Sequence, residues 1–250
     1  MPRHSPPVVP PTRAPQWRPA VPLRWAVRAA TVVEALSRGT GLGSGGVIGG
    51  RVLLALAPHA PRTLAHGRDL VAISGTNGKT TTTAYTAAAL RTLGPVDTNA
   101  DGANTRAGLT RGLAAGTASR VVLETDEGWL PWLVEQTGPA TVVLLNLSRD
   151  QLHRHHEVAH LAHAWADAMR SVPHVVANAA DPAVVLAASG AGRQTWVDLP
   201  SRWTQDEQVC PRCGGECRHE GAAVGGLERG RAGGASCGHA RDEYDEGRAE

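Results

Sequence analysis

The chain has 250 residues, with 25 Lys and Arg against 23 Asp and Glu for a formal net charge of +2, 42% hydrophobic residues, 29 Gly, 17 Pro and 4 Cys. That is enough for one large domain or two small ones, and a total charge near zero argues against a general nucleic-acid or acidic-membrane binder, which carries a concentrated basic excess. No run of about 18 uninterrupted apolar residues occurs, which argues against a transmembrane helix. Arg24, Arg28 and Glu34 interrupt the one stretch that resembles a signal-peptide core.

The expected location is therefore the cytosol, where thiols stay reduced and a close cysteine pair points to metal rather than to a disulfide. Residues 1 to about 21 hold Pro at intervals too short for a helix or a central strand and read as a disordered or polyproline-like leader. Trp25, Ala29, Val32, Val33 and Leu36 then recur at helical spacing until Arg38-Gly39 ends the pattern. Gly39 to Gly50 reads as a glycine-rich connector.

From Asp69 onward short β-branched runs alternate with Ala/Leu-rich stretches. The pattern predicts strands at about 69–74, 95–98, 120–124, 140–146, 173–178 and 194–198, and helices at about 80–93, 105–115, 128–137, 156–171 and 181–189. Strands apolar on both faces and separated by helices imply an α/β fold: a mostly parallel sheet with helices on both faces, binding ligands beyond the carboxyl ends of its strands. Past Gln205 no period of 2 or 3.6 is sustained, and the fold is not expected to continue there.

The segment Val71-Ala72-Ile73-Ser74-Gly75-Thr76-Asn77-Gly78-Lys79-Thr80 runs from a buried strand through a tight turn into a helix. Unsatisfied amides at a helix start carry partial positive charge, so such a turn suits a polyphosphate. Lys79 would reach the terminal phosphates and Thr80 would offer its hydroxyl to Mg²⁺. Lys79 is the only lysine in the chain, and a compact ammonium fits a phosphate cradle where a planar guanidinium does not. The common loop pattern wants Gly five positions before Gly78, where Ile73 stands, so this is a shorter variant.

These residues resemble the Mur ligases, amide-forming enzymes that activate a carboxylate as an acyl phosphate. Gly75-Thr76-Asn77-Gly78-Lys79-Thr80-Thr81 is similar to the family's ATP loop. Asn99-Ala100-Asp101-Gly102-Ala103-Asn104 resembles N-x-x-G-A-N, and Glu124-Thr125-Asp126-Glu127 resembles E-x-D-E. Asn146-Leu147-Ser148-Arg149-Asp150-Gln151-Leu152 is similar to N-L-x-R-D-Q-L, and Asn178-Ala179-Ala180-Asp181-Pro182 to the segment at the nucleoside. The Arg-Asp-Gln-Leu version followed by Cys-Pro-x-Cys points to the MurT branch, which supplies the ligase subunit of lipid II isoglutaminyl synthase.

The resemblance implies a central ATP-binding domain over residues 22–205. It implies Lys79 and Glu124 as catalytic groups and Mg²⁺ on Thr80 and Glu124. It places Asn178 and Asp181 at the nucleoside, although Asp181 before Pro182 reads equally as a helix cap. Asp126 and Glu127 read either as further site carboxylates or as caps of the helix near Gly128. Gln151 stands where most of the family has a metal-holding His, and no second lysine exists for modification. His153 replaces an acidic residue of the branch pattern.

Cys210-Pro211-Arg212-Cys213 is half of a zinc knuckle. Cys237 gives a third ligand and Cys217 or His239 a fourth, so residues 206–240 read as a partial zinc ribbon holding structural Zn²⁺, with 241–250 a charged tail. An incomplete site with free thiols is the competing reading. His153, His155, His156, His160 and His163 read as a solvated helix face, since their spacing matches no ligand set.

The expected activity is amidation of the D-glutamate α-carboxyl of the lipid II stem peptide at the inner leaflet, with ammonia from a GatD-type glutaminase partner. An amino-acid-adding or folylpolyglutamate synthase-like ligase, a P-loop nucleotide switch, and a nucleotide-binding remnant without activity are the rivals. The resemblance fades near residue 217, where the family continues into a further domain, so a naturally short gene or a shifted frame is expected.

Overall fold

A computed structural model of the chain describes residues 21–40, 45–99, 103–148 and 155–197. Cys210, Cys213, Cys217 and Cys237, together with Asp101, Asp150, Gln151 and His153, lie outside the described residues.

Six strands form one sheet: β1 (Asp69–Ser74), β2 (Val96–Thr98), β3 (Arg120–Glu124), β4 (Thr141–Leu144), β5 (His174–Asn178) and β6 (Arg193–Val197). Their order is β2-β3-β1-β4-β5-β6 and every neighbouring pair is parallel. Parallel neighbours require long crossovers. These carry α4 (Lys79–Arg91), α5 (Arg106–Ala115), α6 (Leu130–Thr137), α7 (His155–Met169) and α8 (Pro182–Ala188).

Side-chain alternation divides the core between the two faces of the sheet. Leu70 and Ala72 of β1, Val121 and Leu123 of β3, and Val142 and Leu144 of β4 pack with Leu109, Leu113, Leu130, Leu133, Trp165, Met169 and Val184 from α5 to α8. On the opposite face Val71, Ile73, Val122 and Val143 meet Ala87 and Leu90 of α4. Helices therefore cover both faces, as the alternating pattern predicts.

The register sets up the site. Ile73 lies opposite Glu124 and Ser74 opposite Leu144. The turns that leave β1, β3 and β4 thus emerge side by side at the carboxyl edge of the sheet.

Before the sheet come α1 (Leu23–Thr40), α2 (Gly45–Leu56) and α3 (Ala60–Ala65). Here the structure corrects the sequence reading, because the supposed connector from Gly39 to Gly50 contains the first half of α2, and α3 was not foreseen. The glycines permit contact rather than break structure. A Cβ at Gly50 would fall 1.9 Å from the Ala107 carbonyl oxygen of α5, and one at Gly49 would lie 3.1 Å from the Ala30 carbonyl oxygen of α1. Backbones this close leave no room for a side chain, and tertiary packing overrides the low helix propensity of glycine. Small residues complete the seam, where Ala26, Ala30, Leu53, Ala57 and Ala60 form a separate buried cluster. Glu34 is buried beside it and holds both Arg38 (2.7 Å) and Arg111 of α5. This carboxylate, which in the sequence only interrupts an apolar run, ties α1 to α5.

Candidate active site

The chain leaves β1 through Gly75 at φ +151°, and Gly78 at φ +84° forms the amino-terminal cap of α4. Both values suit glycine. At Gly75 space is short as well, since a Cβ there would lie 2.8 Å from Leu145 Cβ.

The first half of the turn is clasped by the segment after β4. The Thr76 amide donates to the Asn146 carbonyl (2.9 Å) and the Asn77 amide to Asn146 Oδ1 (2.8 Å), while Asn146 Nδ2 donates back to the Asn77 carbonyl (3.0 Å). The Thr76 hydroxyl donates to the Ser148 carbonyl (3.2 Å) and accepts from the Ser148 amide (3.1 Å). These two loop amides are therefore engaged within the protein. The first backbone bond of α4 runs from the Thr82 amide to the Gly78 carbonyl (2.9 Å), and the amides of Gly78, Lys79, Thr80 and Thr81 meet no acceptor among the described residues. Those four amides, at the positive end of the helix, form the open part of the turn.

Lys79 folds back over the loop it follows. Its ammonium donates to the carbonyls of Gly75 (2.5 Å) and Thr76 (3.0 Å) and lies 3.4 Å from Glu127 Oε2. Both side chains of this ion pair are mostly buried. Glu127 belongs to a 3₁₀ turn, Glu127–Trp129, capped by Asp126 Oδ1, which accepts from the Gly128 amide (3.0 Å). Of the two acidic residues that sequence left open between site and cap, Asp126 is thus the cap and Glu127 faces the lysine. The Glu127 carbonyl accepts from Trp165 Nε1 (2.9 Å), and the Arg106 guanidinium lies 5.0 Å from both the Trp129 and Trp132 rings.

Glu124 ends β3 beside this loop and is 5% exposed. Its backbone is held on both sides by Asn99: the Glu124 amide donates to Asn99 Oδ1 (2.8 Å), and Asn99 Nδ2 donates to the Glu124 carbonyl (2.7 Å). The Ser74 hydroxyl donates to the Thr125 carbonyl (3.0 Å), and the Thr125 amide donates to the Ile73 carbonyl (2.9 Å). The Glu124 carboxylate itself has no hydrogen-bonding or ionic partner among the described residues. Its oxygens suit a hard divalent cation. Glu124 and the exposed Thr80 hydroxyl are oxygen donors of the kind Mg²⁺ takes, an ion that keeps several waters and binds few protein groups. His160 and His163 are exposed on α7, and no group of three or more His, Cys, Asp or Glu among the described residues is placed to hold a metal.

Asp181 has a structural task. Oδ1 accepts from the Ala183 (2.9 Å) and Val184 (3.2 Å) amides at the start of α8, and Oδ2 accepts from the Leu147 amide (2.7 Å). One carboxylate thus caps a helix and fixes the segment that clasps the loop. Asn178 Oδ1 accepts from the Ala180 amide (3.0 Å). Asp181→Ala is expected to cost about 2 kcal/mol of stability, from a lost cap and a buried amide left unpaired, read as a lower urea midpoint. Asp181→Asn, which keeps an acceptor at Oδ1, should recover part of that loss.

The clasp by Asn146 and Ser148 and the ion pair with Glu127 are the features that sequence reasoning did not assign. Their signal was topological: β1, β3 and β4 are adjacent in a parallel sheet, so residues just after those strands share one edge.

Residues 73–197, half of the chain, match the Mur ligase middle domain. The chain belongs to the Mur ligase family. It is 35% identical over 138 residues to the lipid II isoglutaminyl synthase (glutamine-hydrolyzing) subunit MurT of Streptococcus pneumoniae, covering 53% of this chain and 31% of that protein. It is 29% identical over 158 residues to the MurT subunit of Staphylococcus aureus strain COL, covering 58% of this chain and 36% of that one. The chain thus spans about a third of the length of the curated relatives it matches. Among solved structures, MurF from Acinetobacter baumannii superimposes with a TM-score of 0.49 at 17% identity, covering 62% of this chain and 35% of MurF. A pseudomurein peptide ligase type C from Methanothermus fervidus gives a TM-score of 0.48 at 20% identity, covering 72% and 42% of the two chains. The strand-to-helix turn, Glu124 and the Asn146 clasp all lie within the matched Mur ligase segment.

Proposed function

We propose that the chain is the nucleotide-binding part of an ATP-dependent carbon–nitrogen ligase of peptidoglycan synthesis. Within that class it acts as the ligase subunit that amidates the D-glutamate α-carboxyl of lipid II. What supports the reading is a lone lysine folded over a glycine turn at a helix start, in a Mur ligase 35% identical to a lipid II isoglutaminyl synthase subunit. A carboxylate oxygen attacks the γ-phosphorus of ATP, ADP leaves, and an acyl phosphate forms. Ammonia then attacks the carbonyl carbon and loses a proton as phosphate departs, leaving the amide. The ammonia comes from a glutamine-hydrolysing partner of the GatD type.

In this reading the amides of Gly78, Lys79, Thr80 and Thr81 bind the phosphates, and the Lys79 ammonium leaves Glu127 to neutralise charge on the transferred phosphoryl group. Gly75, Thr76 and Asn77 hold the turn in shape for that contact. Glu124 and Thr80 hold Mg²⁺, which shields the phosphate oxygens when bound. Asn99 aims Glu124 through its backbone. Asn178 and Asp181 border the nucleoside from the start of α8, with Asp181 acting through its cap.

Isothermal titration with Mg·ATP tests the reading. The wild type should bind, and Glu124→Gln should weaken Mg·ATP on the order of tenfold while leaving metal-free nucleotide binding unchanged. Absence of binding by the wild type would sink the reading.

A further inference from the structure

The near-zero total charge conceals a division along the chain. Residues 1–68 contain nine arginines and one acidic residue, Glu34, for a net +8, whereas residues 69–250 contain 16 basic and 22 acidic residues for a net −6. The single acid of the basic part is not available to offset it at the surface, because Glu34 is buried and holds Arg38 and Arg111.

Helix α1 lies in that basic part and buries only one side. Ala26, Ala30 and Glu34 face the α2–α5 seam, while Arg24, Trp25, Arg28, Thr31, Val32, Ala35 and Leu36 are exposed. Trp25, Val32 and Leu36 are 50%, 58% and 65% exposed, a spread of large apolar groups at helical spacing that solvent does not favour. The guanidinia of Arg24 and Arg28 lie 5.9 and 4.9 Å from the centre of the Trp25 ring. Among the described residues no carboxylate stands on this arc.

We propose that the outer face of α1 docks on an anionic lipid surface. Trp25, Val32 and Leu36 enter the headgroup boundary while Arg24 and Arg28 engage lipid phosphates. A helix with an apolar strip flanked by cations, carrying a tryptophan beside them, lies in the plane of such an interface, and each added basic residue strengthens the attraction. Charge selects this occupant over two others. A second copy of the same face would set Arg24 and Arg28 against their own equivalents. A nucleic acid would accept the arginines but has no use for exposed Val32 and Leu36. The inference rests on this surface and not on the ligase reading, and its test contains neither ATP nor peptidoglycan precursor.

The full chain is mixed at low salt with vesicles of phosphatidylcholine alone or of phosphatidylcholine with phosphatidylglycerol, and bound protein is measured by co-sedimentation. Binding is expected on the anionic vesicles only and should fade as salt rises. Arg24→Gln with Arg28→Gln should weaken it roughly 30-fold, and Trp25→Ala with Val32→Ser roughly tenfold or more, with circular dichroism and melting unchanged. Equal binding to neutral vesicles, or undiminished binding by both double variants, overturns the proposal. So does an oligonucleotide shift without vesicle binding. Self-association abolished by Trp25→Ala, again without vesicle binding, overturns it in favour of a second copy.

Discussion

Lys79→Ala is expected to lower the affinity for Mg·ATP on the order of a hundredfold, measured by isothermal titration, with little change in melting temperature. In the structure the ammonium is satisfied by two loop carbonyls and by Glu127, so a nucleotide must take over a donor already aimed at the turn. Losing a mostly buried charged partner of a phosphate costs about 3 kcal/mol. Folding loses less, because Thr76 and Glu127 are only partly buried and water can take over what the ammonium gave them. Lys79→Arg should not restore binding. The guanidinium is too broad to sit over the two carbonyls, and its fixed fork cannot reproduce a point charge. Wild-type affinity in Lys79→Ala would remove the assignment of this turn as a phosphate site.

Gly50→Ala should destabilise the fold by about 3 kcal/mol, although the same exchange in an exposed helix normally stabilises it by up to about 1 kcal/mol. The reversal of sign is the diagnostic. The new methyl would fall 1.9 Å from the Ala107 carbonyl oxygen, 2.5 Å from its carbonyl carbon and 2.9 Å from its Cα. All three atoms are backbone, so relief requires α2 and α5 to separate. Separation in turn loosens the small-residue cluster around Ala26, Leu53 and Ala57. Gly39→Ala supplies the control, because a Cβ there meets nothing within 4 Å. Thermal melting should show Gly50→Ala lowered by about 8 °C and Gly39→Ala unchanged or raised. Equal melting of the two would mean that α2 does not pack as described.

The strands were legible because β-branched runs such as Leu70 to Ile73 and Val121 to Leu123 fill both faces of the sheet with apolar groups, a local signal. Their observed bounds at Asp69–Ser74 and Arg120–Glu124 coincide with the expected ones. The amino-terminal helices were legible only in part. Gly45 to Gly50 carries the composition of a loop, and its helical state depends on Ala30 and Ala107, which lie far away in sequence. The turn at Gly75–Thr80 was readable from residue types, yet the division of labour among its amides was not. That Asn146 takes Thr76 and Asn77 follows from β4 lying beside β1, a fact of strand order. Likewise the sequence offered Glu127 as a possible cap, whereas the 3₁₀ turn aims it at Lys79.

The closeness of Arg106 to two indoles has an optical consequence. Trp129 shares its short turn with Glu127, so any phosphate that draws the lysine away also disturbs an emitting ring in contact with a cation. Intrinsic fluorescence should therefore report occupancy of the turn without a label, and Trp129→Tyr should silence most of the change.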